Sequence, residues 1–68
     1  MFNSTTTVQE ALKIAIEREK SAYEFYKKAS EIVKDPGARN MFSFLAEEEV
    51  KHIKMLEDEY DKNILQEM

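Results

Sequence analysis

Apolar residues recur along this chain at steps of three and four, in two long stretches, and nowhere alternate with the period of a strand. The first series runs Val8, Leu12, Ala15, Ala22, Tyr26, Ala29, Val33, and the second runs Ala38, Phe42, Leu45, Leu56. Such spacing keeps residues on one helix face, so each stretch predicts an amphipathic α-helix. Three polar residues interrupt the two series near their centres: Glu19 in the first, Glu49 and His52 in the second. A carboxylate in the middle of an apolar stripe loses its water on packing, which is costly unless it gains a partner. A metal ion is the partner that could satisfy two carboxylates and an imidazole together.

The ends of the helices are also written in the sequence. Thr7 followed by Glu10 has the spacing of a capping box, just ahead of the first periodic residues. The only proline and the only glycine fall together in Lys34-Asp35-Pro36-Gly37. A residue before proline is pushed out of the α region, so the first helix is expected over about 8–34. Asp35 can cap a second helix with Pro36 at its start, giving a turn at 35–37 and a helix over about 38–65. A turn this short folds two long helices into an antiparallel hairpin. The fold class is all-α, one domain over 1–68.

The apolar stripes are wide. On a helical wheel Leu12, Ala15, Ile16, Ala22, Tyr23, Tyr26 and Val33 fall within about 60° of Glu19, and Glu49 gathers a similar arc. Beyond it lies a second ridge, Ile14, Phe25 and Ile32 on the first helix, Phe44 and Met55 on the second. One hairpin cannot cover so much, and two hairpins packed as a four-helix bundle could bury the main stripes. A homodimer or higher homo-oligomer is expected. The aromatics Tyr23, Phe25, Tyr26, Phe42 and Phe44 are read as core or interface, and Met41 and Met55 as packing.

Composition narrows the chemistry. Chains of 68 residues usually need disulfides, a metal or self-association to be secure, and with no cysteine only the last two remain. A net charge of −4 without a basic patch argues against nucleic acid. No apolar run approaches the length of a bilayer span, and MFNSTTTVQE lacks the form of a signal peptide, so a cytoplasmic protein away from membranes is expected.

Among many acidic residues, position picks out the candidates. Glu17 and Glu24 fall nearly opposite Glu19, where solvated charges belong, and Glu47 and Glu48 point away from the Glu49 face. Glu49 and His52 are i and i+3, so both side chains can reach one ion. Mixed carboxylate and imidazole ligation suits iron, manganese or zinc. The remaining charges, among them Lys27, Lys28, Lys51, Lys54, Glu57 and Asp58, read as a solvated face with i,i+4 pairs.

The stretch Ala15–Tyr26, AIEREKSAYEFY, resembles the first helix of a ferritin-like, rubrerythrin-type half-bundle, with Glu19 followed by Ala22 and Tyr26. Leu45–Leu56, LAEEEVKHIKML, resembles the second helix with its Glu-x-x-His. The resemblance spans about Val8 to Tyr60 and implies a ferritin-like four-helix bundle with two metal ions, usually iron, between the helices. One chain carries half of that ligand set. Two chains would bring two Glu19, two Glu49 and two His52, whose four carboxylates match the charge of two divalent cations. The Glu49 or the Glu19 pair would bridge the metals, with each His52 terminal. Tyr26, expected about one turn away on the Glu19 face, is a candidate hydrogen-bond donor or redox-active neighbour.

The implied activity is that of a di-iron oxidoreductase, either iron oxidation or peroxide chemistry under oxidative stress. Rubrerythrins add a cysteine-ligated electron-transfer domain that this sequence does not contain, so an external electron donor protein is implied. Encapsulated half-size ferritins are another two-helix dimeric relative; they carry a cargo tail, and Asn63–Met68 is too short to read as one. The alternative is a non-catalytic helical dimerisation module with no metal, or with a structural zinc or manganese ion.

Overall fold

The computed structural model describes residues 2, 3 and 5–67, with side chains through residue 65; Ser4 of the polar opening and Met68 of the tail lie outside them. The described chain is two α-helices, α1 over Val8–Ile32 and α2 over Pro36–Glu67, with no strand. None of its helices is long and apolar enough to cross a membrane.

Thr7 opens α1 as its sequence position predicts. Its backbone is extended (φ −83°, ψ 165°), and its Oγ1 accepts the Glu10 N–H at 3.1 Å while the hydroxyl donates to Glu10 Oε1 at 3.1 Å. Such a cap contributes about 1 kcal/mol by satisfying an otherwise free helix N–H. Upstream, Asn3 Oδ1 accepts the Thr5 N–H at 2.9 Å and the Asn3 carbonyl accepts the Thr6 N–H at 3.1 Å, a side-chain-assisted turn that leads into the cap.

Helix α1 closes two residues before Lys34. Val33 has already left the helix (φ −67°, ψ 144°), although its N–H still donates to the Ala29 carbonyl at 3.0 Å. The chain reverses through Val33, Lys34 and Asp35, and Asp35 then starts α2. Its Oδ2 accepts the Ala38 N–H at 2.8 Å and its carbonyl accepts the Arg39 N–H at 2.9 Å, with Pro36 in the first helical position. Because the cap sits directly before the proline, α2 begins at Pro36 and not at 38. Arg39 Nε donates to the Ser30 carbonyl at 3.3 Å and ties the two helices beside the turn.

The Cα trace measures 49 × 23 × 12 Å, a slab two helices wide and one helix thick. Only Ile16 and Ala46 are buried among the described residues. Each lies three positions before a stripe glutamate, Ile16 before Glu19 and Ala46 before Glu49, and so about 60° round its helix from that glutamate. The seam between the helices therefore runs to one side of the glutamates. Tyr26 and Phe42 stack across it, ring centroids 6.3 Å apart, and Lys20 meets Glu57 at 3.8 Å on its solvent edge.

The stripe residues Leu12, Ala22, Tyr26, Phe42, Leu45 and Leu56 are half-buried, and most of the second ridge faces outward. Phe25, Ile32, Phe44 and Met55 of the second ridge are each more than half exposed, so of the reading of Phe25 and Phe44 as core or interface, core does not hold within one chain. Met41 is also exposed. The chain exposes 5385 Å², whereas a compact protein of 8.0 kDa exposes about 4,500 Å². The surplus of about 900 Å² is close to the ~800 Å² that one partner contributes to a standard protein interface. A single hairpin thus leaves a broad face open to solvent.

Candidate metal centre

The glutamates lie to one side of the seam, on a broad face of the slab, at the level where the two helices lie side by side. Burial along α2 falls in steps that follow the helical wheel. Ala46 lies in the seam and is buried; Glu49, about 60° further round, keeps 13% of its side chain exposed; His52, another 60° on, keeps 46%. Glu19 of α1 faces them with 32% exposed. The same spacing that aligned these residues in the sequence thus grades them from dry to wet across the site.

Glu19, Glu49 and His52 come together, each with one ligand-type atom within 4.8 Å of the others. His52 Nδ1 stands 3.5 Å from Glu19 Oε2 and 3.7 Å from Glu49 Oε2. Both distances exceed that of a good N–H···O bond, 2.7–3.2 Å. Glu49 Oε2 is fully buried and has no hydrogen-bond partner. Buried polar atoms are almost always satisfied, because an orphan loses its water for nothing. This oxygen needs a donor or a cation, and the His52 imidazole nitrogen stands 3.7 Å from it.

The donor set fits a metal. Carboxylate oxygens and a neutral imidazole bind divalent ions at about 2.0–2.2 Å, so atoms around one ion stand at most about 4.4 Å apart. Side-chain shifts of a few tenths of an ångström close the present set. Nδ1 is the imidazole nitrogen close to both carboxylates, and ligation there places the ring proton on Nε2. Three ligands from one chain leave coordination positions open.

The neighbouring charges sort as their wheel positions predict. Glu17, Glu24 and Glu47 are exposed, Lys51 pairs with Glu48 at 3.2 Å, and Lys54 pairs with Asp58 at 3.2 Å. Tyr26 is farther away than expected. It is seven residues from Glu19, two turns or about 10.5 Å along the helix, and its ring packs on Phe42 and edge-on against Phe25 at 5.6 Å. It belongs to the packing between site and turn. Sequence reasoning missed the Lys20–Glu57 pair, since a wheel drawn for one helix cannot show which residues meet across two. Both members are about half exposed, so the pair contributes a few tenths of a kcal/mol at most.

A family model described as Rubrerythrin matches residues 1–60 of the chain. No curated protein and no solved structure matches it.

Proposed function

The chain belongs to the rubrerythrin family, and on that premise we propose that two copies join their open faces and hold a pair of metal ions, iron foremost, between Glu19, Glu49 and His52 of each. The observation that carries this reading is the buried, partnerless Oε2 of Glu49, set against Glu19 and His52. Two chains supply four carboxylates and two imidazoles, which balance two divalent cations. Manganese or zinc would be accepted by the same ligands.

The residues divide the work by their exposure. Glu49, the driest, provides negative charge where little water screens it, which favours a higher oxidation state of a bound ion. Glu19, about a third exposed, lies nearer the surface than Glu49. His52, at the wet rim, binds through Nδ1 in its neutral form and keeps a proton on Nε2 within reach of solvent. The apolar residues around the site, with Ile16 and Ala46 already buried beside the glutamates, exclude water once the faces meet. The bound metal pair supplies the redox chemistry, in which ferrous iron is oxidised and dioxygen or peroxide is reduced. The 68 residues contain no cysteine, so they hold no cysteine-ligated electron-transfer site, and a donor of electrons outside them would support repeated peroxide reduction.

Anaerobic titration with ferrous iron, followed by admission of air, tests the reading. Saturation at one iron per chain and a rapid near-ultraviolet absorbance of oxo-bridged ferric iron are expected. Saturable binding without any change in air would instead favour a structural metal site. No saturable binding would leave a helical interaction module.

A further inference from the structure

We propose that the metal controls assembly: the open face closes on a second copy when the site is loaded, and the metal-free chain stays largely apart. This rests on the metal-binding reading above and extends it from chemistry to regulation. Two opposed features of the same face carry it.

The first favours closure. The slab is one helix thick, and its surplus of about 900 Å² matches what one partner gives to a standard interface. The occupant that fits is another copy, because the site sits near mid-length of the face. Glu19 is eleven residues from the start of α1 and thirteen from its end, and Glu49 and His52 flank the middle of α2. A twofold axis through the site, perpendicular to the helices, therefore lays one face on the other along their whole length. Residues near the turn of one copy, Tyr26 and Phe42, then stand opposite the level of Leu12 and Leu56 in the other.

The second feature opposes closure. The axis would bring together two Glu49 and two Glu19, and each chain already carries a net charge of −4. Glu49 Oε2 has no hydrogen-bond partner among the described residues, and Lys20, one of the two cations that flank Glu19 in sequence, is turned to Glu57 at the slab edge. Joining the faces without a cation strips the remaining water from four carboxylates and sets like charges side by side. Two divalent cations reverse that sign. The apolar surface supplies attraction in both states, and the ion decides whether it can be used.

Linkage gives the size of the effect. An ion that binds only the closed pair, at a free concentration about a hundredfold above its dissociation constant, tightens association about a hundredfold, and two such ions about ten-thousandfold. Sedimentation velocity over a dilution series, in chelator and in manganese or zinc, measures the dimer constant without redox turnover. Equilibrium dialysis on the same samples measures bound metal. The expected result is a dimer in metal and a dimer constant at least a hundredfold weaker in chelator. Glu49→Gln, which keeps the shape and removes the charge, should dimerise in chelator more tightly than the wild-type chain. Metal bound at one ion per chain with an unchanged dimer constant would overturn the coupling while leaving the metal site standing. Absence of bound metal in both conditions would overturn the metal site and the coupling with it.

Discussion

Glu49→Ala protein is expected to keep both helices and lose its iron. Alanine has the highest helix propensity, and position 49 lies far from either cap, so far-ultraviolet circular dichroism should stay that of a helical hairpin. The substitution removes the driest of the three ligands, and it does so twice in the proposed pair, leaving two carboxylates for two divalent cations. Loss of even a hydrogen-bonding neighbour of a ligand commonly weakens metal affinity 10–100-fold, so loss of the ligand itself should exceed about a hundredfold. Glu48→Ala is the control. Glu48 is adjacent in sequence and equally acidic, but it pairs with Lys51 on the flank, and its loss should leave loading unchanged. Equal iron content in both variants, measured by elemental analysis after desalting, would sink the ligand assignment.

The second expectation runs the opposite way. In chelator, Glu49→Leu should be more stable than the wild-type chain by about 1–3 kcal/mol, the range for a buried polar group left unsatisfied. Leucine fills similar volume at a site where 13% of the side chain is exposed, and it removes the partnerless oxygen. For a domain of this size 1 kcal/mol shifts the thermal midpoint by about 4–8 °C, so the difference is well within the reach of thermal melts. Added metal should then raise the wild-type midpoint and leave that of the variant in place. A variant that melts lower than wild type in chelator would mean that the oxygen is satisfied in the free protein, and the observation carrying the proposed function would fall. Together the two substitutions separate function from stability at one position, as expected of a residue kept for binding at the expense of the fold.

Much of this was legible in the sequence for specific reasons. Thr7 with Glu10 and Asp35 with Pro36 are local signals, each acting over three or four residues, and the caps form where those residues stand. The three clustered residues were legible because a helix of fixed pitch turns spacing into direction: positions 19, 49 and 52 had to lie on the stripe faces. What a wheel does not contain is where the neighbouring helix sits. It cannot show which apolar residues meet the other helix: among the described residues the fold buries only Ile16 and Ala46, about 60° from the glutamates, and leaves Phe25 and Phe44 of the second ridge in solvent. The offset seam is what leaves Glu49 almost dry and His52 half wet. Tyr26 was misplaced for a simpler reason, since its wheel angle brings it onto the Glu19 face but says nothing of the two turns between them. The family match over residues 1–60 supports the helical resemblance, and the ligand roles rest on the geometry of the three side chains.

Anomalous diffraction from crystals grown with manganese or iron tests whether two copies share a metal pair. Two anomalous peaks about 3.5–4 Å apart, astride a twofold axis, are expected, with Glu19, Glu49 and His52 of both chains around them. A single ion held within one hairpin, or no peak at these residues in a metal-saturated crystal, would contradict the shared pair.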